Sequence, residues 1–441
     1  MRSPGRAWWW LLRKECSELI DSRAWWVMLA LIGPLVGVSF IAATRTYAEA
    51  SGLGGAAGGL ADALWPLDGI LVPTLSAYEI AALFLLPFVA IRMIAGDRQS
   101  GALKLELQHS LPSIARLGAK MLVLLAGWSI ASVPALIAFA EWRAAGGSIY
   151  LPELGSVLLG HLLNAGVVIA LAAAAASVAE HPSTAAILTL AFTVGTWVLN
   201  FLAAVHGGLW ERLARYTPAE MLQAFQRGQV RLALVLAAFA AIAAGLGLAS
   251  VWMRLGVSVR RRAAESIGIV AAASVLMFGC SRSRTDWDVS ENRRNSFSES
   301  DERLLKQIQT PLHVEAHLAP EDPRRFDLER QTLSKLRRSL PHVTVRYVAA
   351  TSSGLFEQAN LHYGEIWYEL GGRRAMTRVT SSENALETIY ALAGMPPPKE
   401  EQAEHRGHPL VARPAGAALI FYGIWPLLAA GVWIFIHRRF V

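Results

Sequence analysis

Charge is scarce in this chain, and so is cysteine. Of its 441 residues only 17% are Asp, Glu, Lys or Arg, whereas 54% are hydrophobic. Soluble globular domains carry about 25% charged residues, so the composition excludes an ordinary water-soluble globule. The two cysteines, Cys16 and Cys280, exclude a disulfide framework and a cysteine-held zinc or iron–sulfur centre. No GxxxxGK[ST], HExxH or GxSxG sequence occurs. The chain therefore lacks a Walker-type phosphate cradle, a zinc-peptidase helix and a nucleophile elbow of its own. A cleavable leader is not expected either, because "WWWLLRKECSELI" breaks into charges before an apolar core develops.

In place of charge the chain has long apolar runs, and mean hydropathy is +0.36. A spanning helix needs about 20 mostly apolar residues. Candidates lie near 24–44, 76–95, 121–140, 155–178, 185–205, 232–252, 266–280 and 415–436. The seventh is short, and a polar stretch separates it from the eighth. The expected fold class is an α-helical integral membrane protein with a small α/β domain outside the membrane. Net charge is +7, but much of the surplus flanks the spans, where it sets orientation and does not imply nucleic acid. Arg2, Arg6, Arg13, Lys14 and Arg23 precede span one; Arg98, Lys104, Arg116 and Lys120 follow span two. Arg254 and Arg260 to Arg262 follow span six, and Arg438 and Arg439 follow span eight. The expected topology is multi-pass in the cytoplasmic (inner) membrane, with both termini inside and residues 282–413 outside. Arg212, Arg215, Arg227 and Arg231 run against it.

Residues 8–20 alternate with helical period. Trp8, Leu11, Leu12, Cys16, Leu19 and Ile20 share one face, and Arg13, Lys14, Ser17, Glu18 and Asp21 the other. This predicts an amphipathic helix in the membrane interface, residues 1–23 in all. "TPAEMLQAFQRG" reads as a short helix capped by Thr217 and Glu220, stopped at Gly228, with Met221, Leu222 and Phe225 as its apolar face. Beyond a seventh span at 263–281, residues 282–395 read as an α/β domain. Strands are expected at 312–318 and 343–348, and a hairpin at Gly371–Gly372. Helices are expected after Ser298, after Asp322 with Phe326, Leu333, Leu336 and Leu340 inward, and over 383–393. Residues 396–413 form a Pro-rich stalk, and 414–441 the eighth span and its tail.

His313, Glu315 and His317 alternate on one strand and form the one local set with metal-ligand spacing. A solvated strand face gives the same pattern, and no metal is expected. Within the spans, Glu79 and Arg92 lie near the ends of span two. His161, Asn164 and Asn200 lie deeper and are expected to hydrogen-bond between helices. No acidic residue sits convincingly at mid-membrane, which argues against a proton-coupled secondary transporter.

The segment "GDRQSGALKLELQHSLPSIARLGAK" (96–120) joins spans two and three. It carries Asp97, Arg98, Ser100, Gly101, Leu103, Leu107, Leu111, Pro112 and Arg116. Together with six spans over 24–256 and the interfacial helix, it resembles ABC-2-type permeases, the membrane half of many ATP-driven exporters. The later "DWDVSENRRNSFSESDERLLKQIQTPLHVEAHL" and "YGEIWYELGGRRAMTRV" resemble a truncated auxiliary domain of gliding-motility-type ABC systems. The resemblance implies that Trp8, Leu12 and Leu19 of the interface helix and the 96–120 residues dock on a separate ATPase subunit. ATP and Mg would then be bound by that partner, no cofactor by this chain, and the chain would not itself be an enzyme. It further implies a second permease copy or homologue, the lipid bilayer and an outer protein as partners. The alternative is an ATPase-linked membrane scaffold for motility or envelope assembly that transports nothing.

Overall fold

A backbone immersed in lipid must satisfy its own hydrogen bonds, so apolar runs of this length become helices. The computed structural model describes residues 4–50, 65–99, 112–206, 209–214, 216–254, 256–280, 283, 285–319, 322–348, 362–398, 414 and 416–440. Among them eight helices are long and apolar enough to cross a membrane. They are spans one (Arg23–Glu49), two (Leu67–Asp97), three (Ser113–Ala144) and four (Leu151–Val178), then five (Pro182–Ala203), six (Leu232–Trp252), seven (Val259–Cys280) and eight (Ala417–Arg438). The chain is thus a helical membrane protein. Span seven is longer than its apolar run suggests: the helix starts at Val259, taking Arg260 to Arg262 into its first turn.

Two spans are broken where proline requires it. The α-helix of span two stops at Phe84 and resumes at Leu86, and that of span three stops at Ala131 and resumes at Val133. Pro87 and Pro134 follow the breaks, each without an N–H to give the preceding turn. Tyr78 of span two repairs the second break. Its hydroxyl donates to Ala131 O at 3.0 Å and accepts from Ala135 N at 3.3 Å. Tyr78, Trp128 and Trp142 are the largest side chains buried among these helices.

The chain divides into two units, the first comprising Met1–Ala203, Gly208–Val289 and Arg406–Val441. In this unit an amphipathic helix α1 (Pro4–Asp21) precedes span one. Trp26 Nε1 donates to Ile20 O at 2.6 Å across the junction between them. Span eight packs on span one, where Trp425 Nε1 donates to Leu29 O at 2.7 Å and the rings of Phe421 and Phe40 meet edge to face. Helix α2 (Pro218–Gln226) is capped by Thr217, whose Oγ1 accepts from Glu220 N. Gly228 ends that segment at φ +72°. Met221, Leu222 and Phe225 are buried, and Ser156 Oγ of span four donates to Phe225 O at 3.0 Å. Strands β1 (Gln229–Arg231) and β2 (Asp286–Asp288) pair antiparallel and join the start of span six to the segment after span seven.

The second unit is built around residues 290–405. It contains α3 (Glu299–Leu305), β3 (Leu312–Ala316), α4 (Pro323–Asp327), α5 (Ser334–Ser339), β4 (Val343–Tyr347), β5 (Ile366–Leu370), β6 (Arg373–Thr377) and α6 (Ser382–Ala393). The sheet order is β4-β3-β5-β6, with β3 parallel to β4 and the other pairs antiparallel. Leu312, Val314, Ile366 and Tyr368 bury one face against Leu305, Leu333, Leu336 and Ile389. Phe326, expected inward, is 57% exposed. A π-helical turn at Leu328–Leu333 follows it and shifts the helical phase, so Leu328 takes the buried position.

Candidate functional site

The first unit contains a cluster of charges that composition alone would not place in a core. Helix α1 lies along span three with Trp8, Leu12, Glu15 and Leu19 turned toward the bundle. Glu15 is 0% exposed and Leu19 5%. Gly127 of span three permits the approach, since a methyl group there would stand 2.7 Å from Leu19 Cδ2. Cys16 and Ile20, expected on the same face as Leu19, are exposed. The true stripe follows i, i+4, i+7, i+11 spacing from Trp8 and leaves both aside.

Glu15 meets Lys120, near the start of span three, at 2.6 Å between Oε2 and Nζ. Asp97, at the end of span two, approaches the same ammonium at 2.7 Å, and Met93 O accepts from it at 3.2 Å. Lys14 bridges the other side, at 2.9 Å from Glu18, 3.3 Å from Asp97 and 3.4 Å from Glu15. Three acids and two lysines thus tie α1 to both ends of the 100–111 segment. Burial pushes the Glu15 carboxyl up to about 7, against the pull of Lys120 and Lys14.

Among the described residues, Glu15, Glu18 and Asp97 form the group of three acids close enough to hold one cation. The Lys120 ammonium stands among them and supplies that charge. His313, Glu315 and His317 do not gather in this way. His313 is exposed, and Glu315 is engaged by Arg374 at 2.8 Å and by His317 at 3.3 Å.

Of the residues expected to couple to a partner, Asp97 lies inside the cluster. Arg116 is 4% exposed, and Pro112 is the exposed, extended residue just before span three. The backbone of Arg98 continues the helix of span two, whereas Ser100, Gly101, Leu103, Leu107 and Leu111 lie outside the described residues. Trp8 and Leu12 are half-buried, and Leu12 and Leu19 join the bundle core. Sequence reasoning overlooked Glu15, and assigned Lys14 and Glu18 to a solvated face. One signal was available: Glu15 sits within the apolar Trp8–Leu12–Leu19 stripe, and Lys120 opens an apolar span. A charge in such a position requires a buried partner.

A small cleft lies between spans two, four and five. It holds about 60 Å³ and is lined mostly by apolar side chains such as Leu83, Val168 and Phe192, with Glu79, Asn164, Thr193 and Thr196 as its polar groups. Gln226 donates to Glu79 at 2.7 Å. Thr217 Oγ1 donates to Asn200 Oδ1 at 2.9 Å, the link from span five that was expected of a deep asparagine. His161 departs from expectation. It is buried beside Tyr78, and among the described residues neither ring nitrogen has a hydrogen-bond partner.

No family of known proteins, no curated protein and no solved structure matches this chain.

Proposed function

We propose that this chain is the membrane (permease) subunit of an ATP-driven ABC exporter of the inner membrane, working with a separate ATPase. Residues 24–256 would form the six-span permease core, with spans seven and eight added beside it. Both termini would face the cytoplasm, and the 282–395 domain the outside. The carrying observation is the buried cluster of Glu15, Asp97 and Lys120. An ATPase that pulled on the 100–111 segment would move α1 and the ends of spans two and three as one body. A packed, ion-paired junction transmits such a push, whereas a solvated loop dissipates it. Protein–protein closure would then rock the spans between two access states. ATP and Mg would bind to the partner.

The scaffold that carries nothing stays the second reading: the cleft beside Glu79 and Asn164 is small and lined mostly by apolar side chains, so it does not decide between the two. The docking claim is tested by placing a photocrosslinking residue at 103, 107 or 111. Crosslinks to a Walker-motif ATPase are expected. Crosslinks only to lipid or to this chain, in cells that contain the ATPase partner, would remove the claim.

A further inference from the structure

The coupling scheme leaves unused the groove beside the basic run that follows span six. At the end of the bundle where span six passes to span seven, a groove of about 460 Å³ opens between spans four, five, six and seven. Ala175, Leu188, Leu248 and Ile267 line it, together with Trp252 and Ser266. It faces sideways, with Ile267 70% and Leu188 45% exposed. The polar groups in its wall satisfy each other, Trp252 Nε1 donating to Ser266 Oγ at 3.1 Å. Such walls offer a water-soluble ligand nothing to bond, but they suit a hydrocarbon chain.

Positive charge adjoins the wall along the chain. Arg260, Arg261 and Arg262 directly precede Ala263, Ser266 and Ile267 of the wall in the helix of span seven, and Arg254 comes two residues after Trp252; Glu265 in span seven and Glu180, two residues after Val178, are the acids nearest to the wall in sequence. Glu265 already engages Arg254 at 2.8 Å and Arg261 at 3.0 Å, so this stretch keeps a positive surplus. The Arg262 guanidinium lies over the Trp252 ring at 5.9 Å and marks the border between apolar wall and basic run. It also donates to Arg254 O through Nη2, yet its Nε is shielded from solvent and has no hydrogen-bond partner among the described residues. A shielded donor without an acceptor calls for one.

We propose that this groove is a binding site for an anionic phospholipid, with one acyl chain against Leu188, Leu248 and Ile267 and the phosphate held by Arg260, Arg261 and Arg262. Clusters of basic residues between membrane helices recognise lipid headgroups in this way. A second copy of the chain fits the site less well. Seated here across a two-fold axis, it would bring two arginine runs together. An arginine run that served orientation alone would need no groove and would show no headgroup preference.

The test uses the purified full chain in mild detergent, with equal amounts of palmitoyl-oleoyl phosphatidylglycerol and phosphatidylcholine added before native mass spectrometry. Phosphatidylglycerol adducts are expected to exceed phosphatidylcholine adducts by about tenfold. The triple change Arg260→Gln, Arg261→Gln, Arg262→Gln should remove that preference, and the matching triple change to Lys should keep most of it. Ala175→Phe, which fills the groove, should reduce retention of both lipids; size-exclusion profiles and circular dichroism establish that each variant is folded. Equal retention of the two lipids by the native chain would overturn the proposal. So would a preference that survives the triple Gln change, or an Ala175→Phe variant that changes the oligomeric state while lipid retention stays constant.

Discussion

Replacing Lys120 by methionine removes the charge at the centre of the cluster while keeping much of the side chain's volume. Glu15, at 0% exposure, and Asp97, at 5%, would then face each other without the ammonium that lies 2.6 and 2.7 Å from them. Removing one partner of a buried ion pair costs about 3–5 kcal/mol where the remaining charge is stranded; Asp97 is left in that state, whereas Glu15, already pushed up by burial, takes a proton. Lys14 offsets part of this, since it reaches both carboxylates at 3.3–3.4 Å, so the lower end of the range, about 3 kcal/mol, is expected. The assay is equilibrium unfolding of the purified chain in mild detergent, followed by tryptophan fluorescence. The double variant Glu15→Gln with Lys120→Met should recover most of the loss, because both charges leave together. The pH dependence has a definite sign. The Glu15 carboxyl stands at about 7 when folded, above its ordinary 4.5, so the folded state holds the proton more tightly. Its contribution is full below pH 4.5 and is lost as pH rises through 7. Glu15→Gln should flatten that slope, and Lys120→Met should move it to higher pH by removing the opposing charge. A loss below about 1 kcal/mol on Lys120→Met, with a pH slope unchanged by Glu15→Gln, would refute the buried-cluster argument.

Other consequences are open to measurement. Gly245 lets span six approach span four so closely that an added methyl would stand 2.8 Å from Ala170 O; Gly245→Val should cost about 1–3 kcal/mol in the same unfolding assay. Gly195→Val, with nothing within 4 Å of the new carbon, should be nearly neutral by comparison. In the second unit, hydrogen bonds from Arg324, and then from Tyr363, hold the Asp322 carboxyl down at about 2. Arg324→Gln should raise it toward its ordinary 3.8, as read from carboxyl chemical shifts during an acid titration. The stability this group contributes is present above 3.8 and lost as pH falls through 2. The proposed orientation predicts that a lone cysteine placed at Ser283 reacts with an impermeant maleimide in intact cells, whereas one at Arg438 reacts only after permeabilisation. The reverse pattern would invert the topology.

Much of this architecture was legible because membrane helices announce themselves by length and apolarity, and each of the eight helices overlaps an expected run. Local caps were also readable: Ser298 accepts from Asp301 N, Asp322 from Arg324 N, and Gly371 and Gly372 turn the hairpin with positive φ. What escaped was set by distance along the chain. Glu15 and Lys120 are 105 residues apart, and no local pattern pairs them. Tyr78 repairs a break 53 residues away, and span eight returns to span one across 396 residues. The phase shift that exposed Phe326 arose from a π-helical turn, which leaves no mark on a 3.6-residue period.

Whether an ATPase docks on this chain is decided most directly by co-purification. The tagged chain would be isolated in mild detergent, and everything that elutes with it identified by mass spectrometry. The same would be done with Leu103, Leu107 and Leu111 changed to Asp. The proposed function predicts a Walker-motif ATPase with the native chain and its loss from the variant. A folded, monodisperse native chain that brings no such ATPase from its own membranes would contradict it.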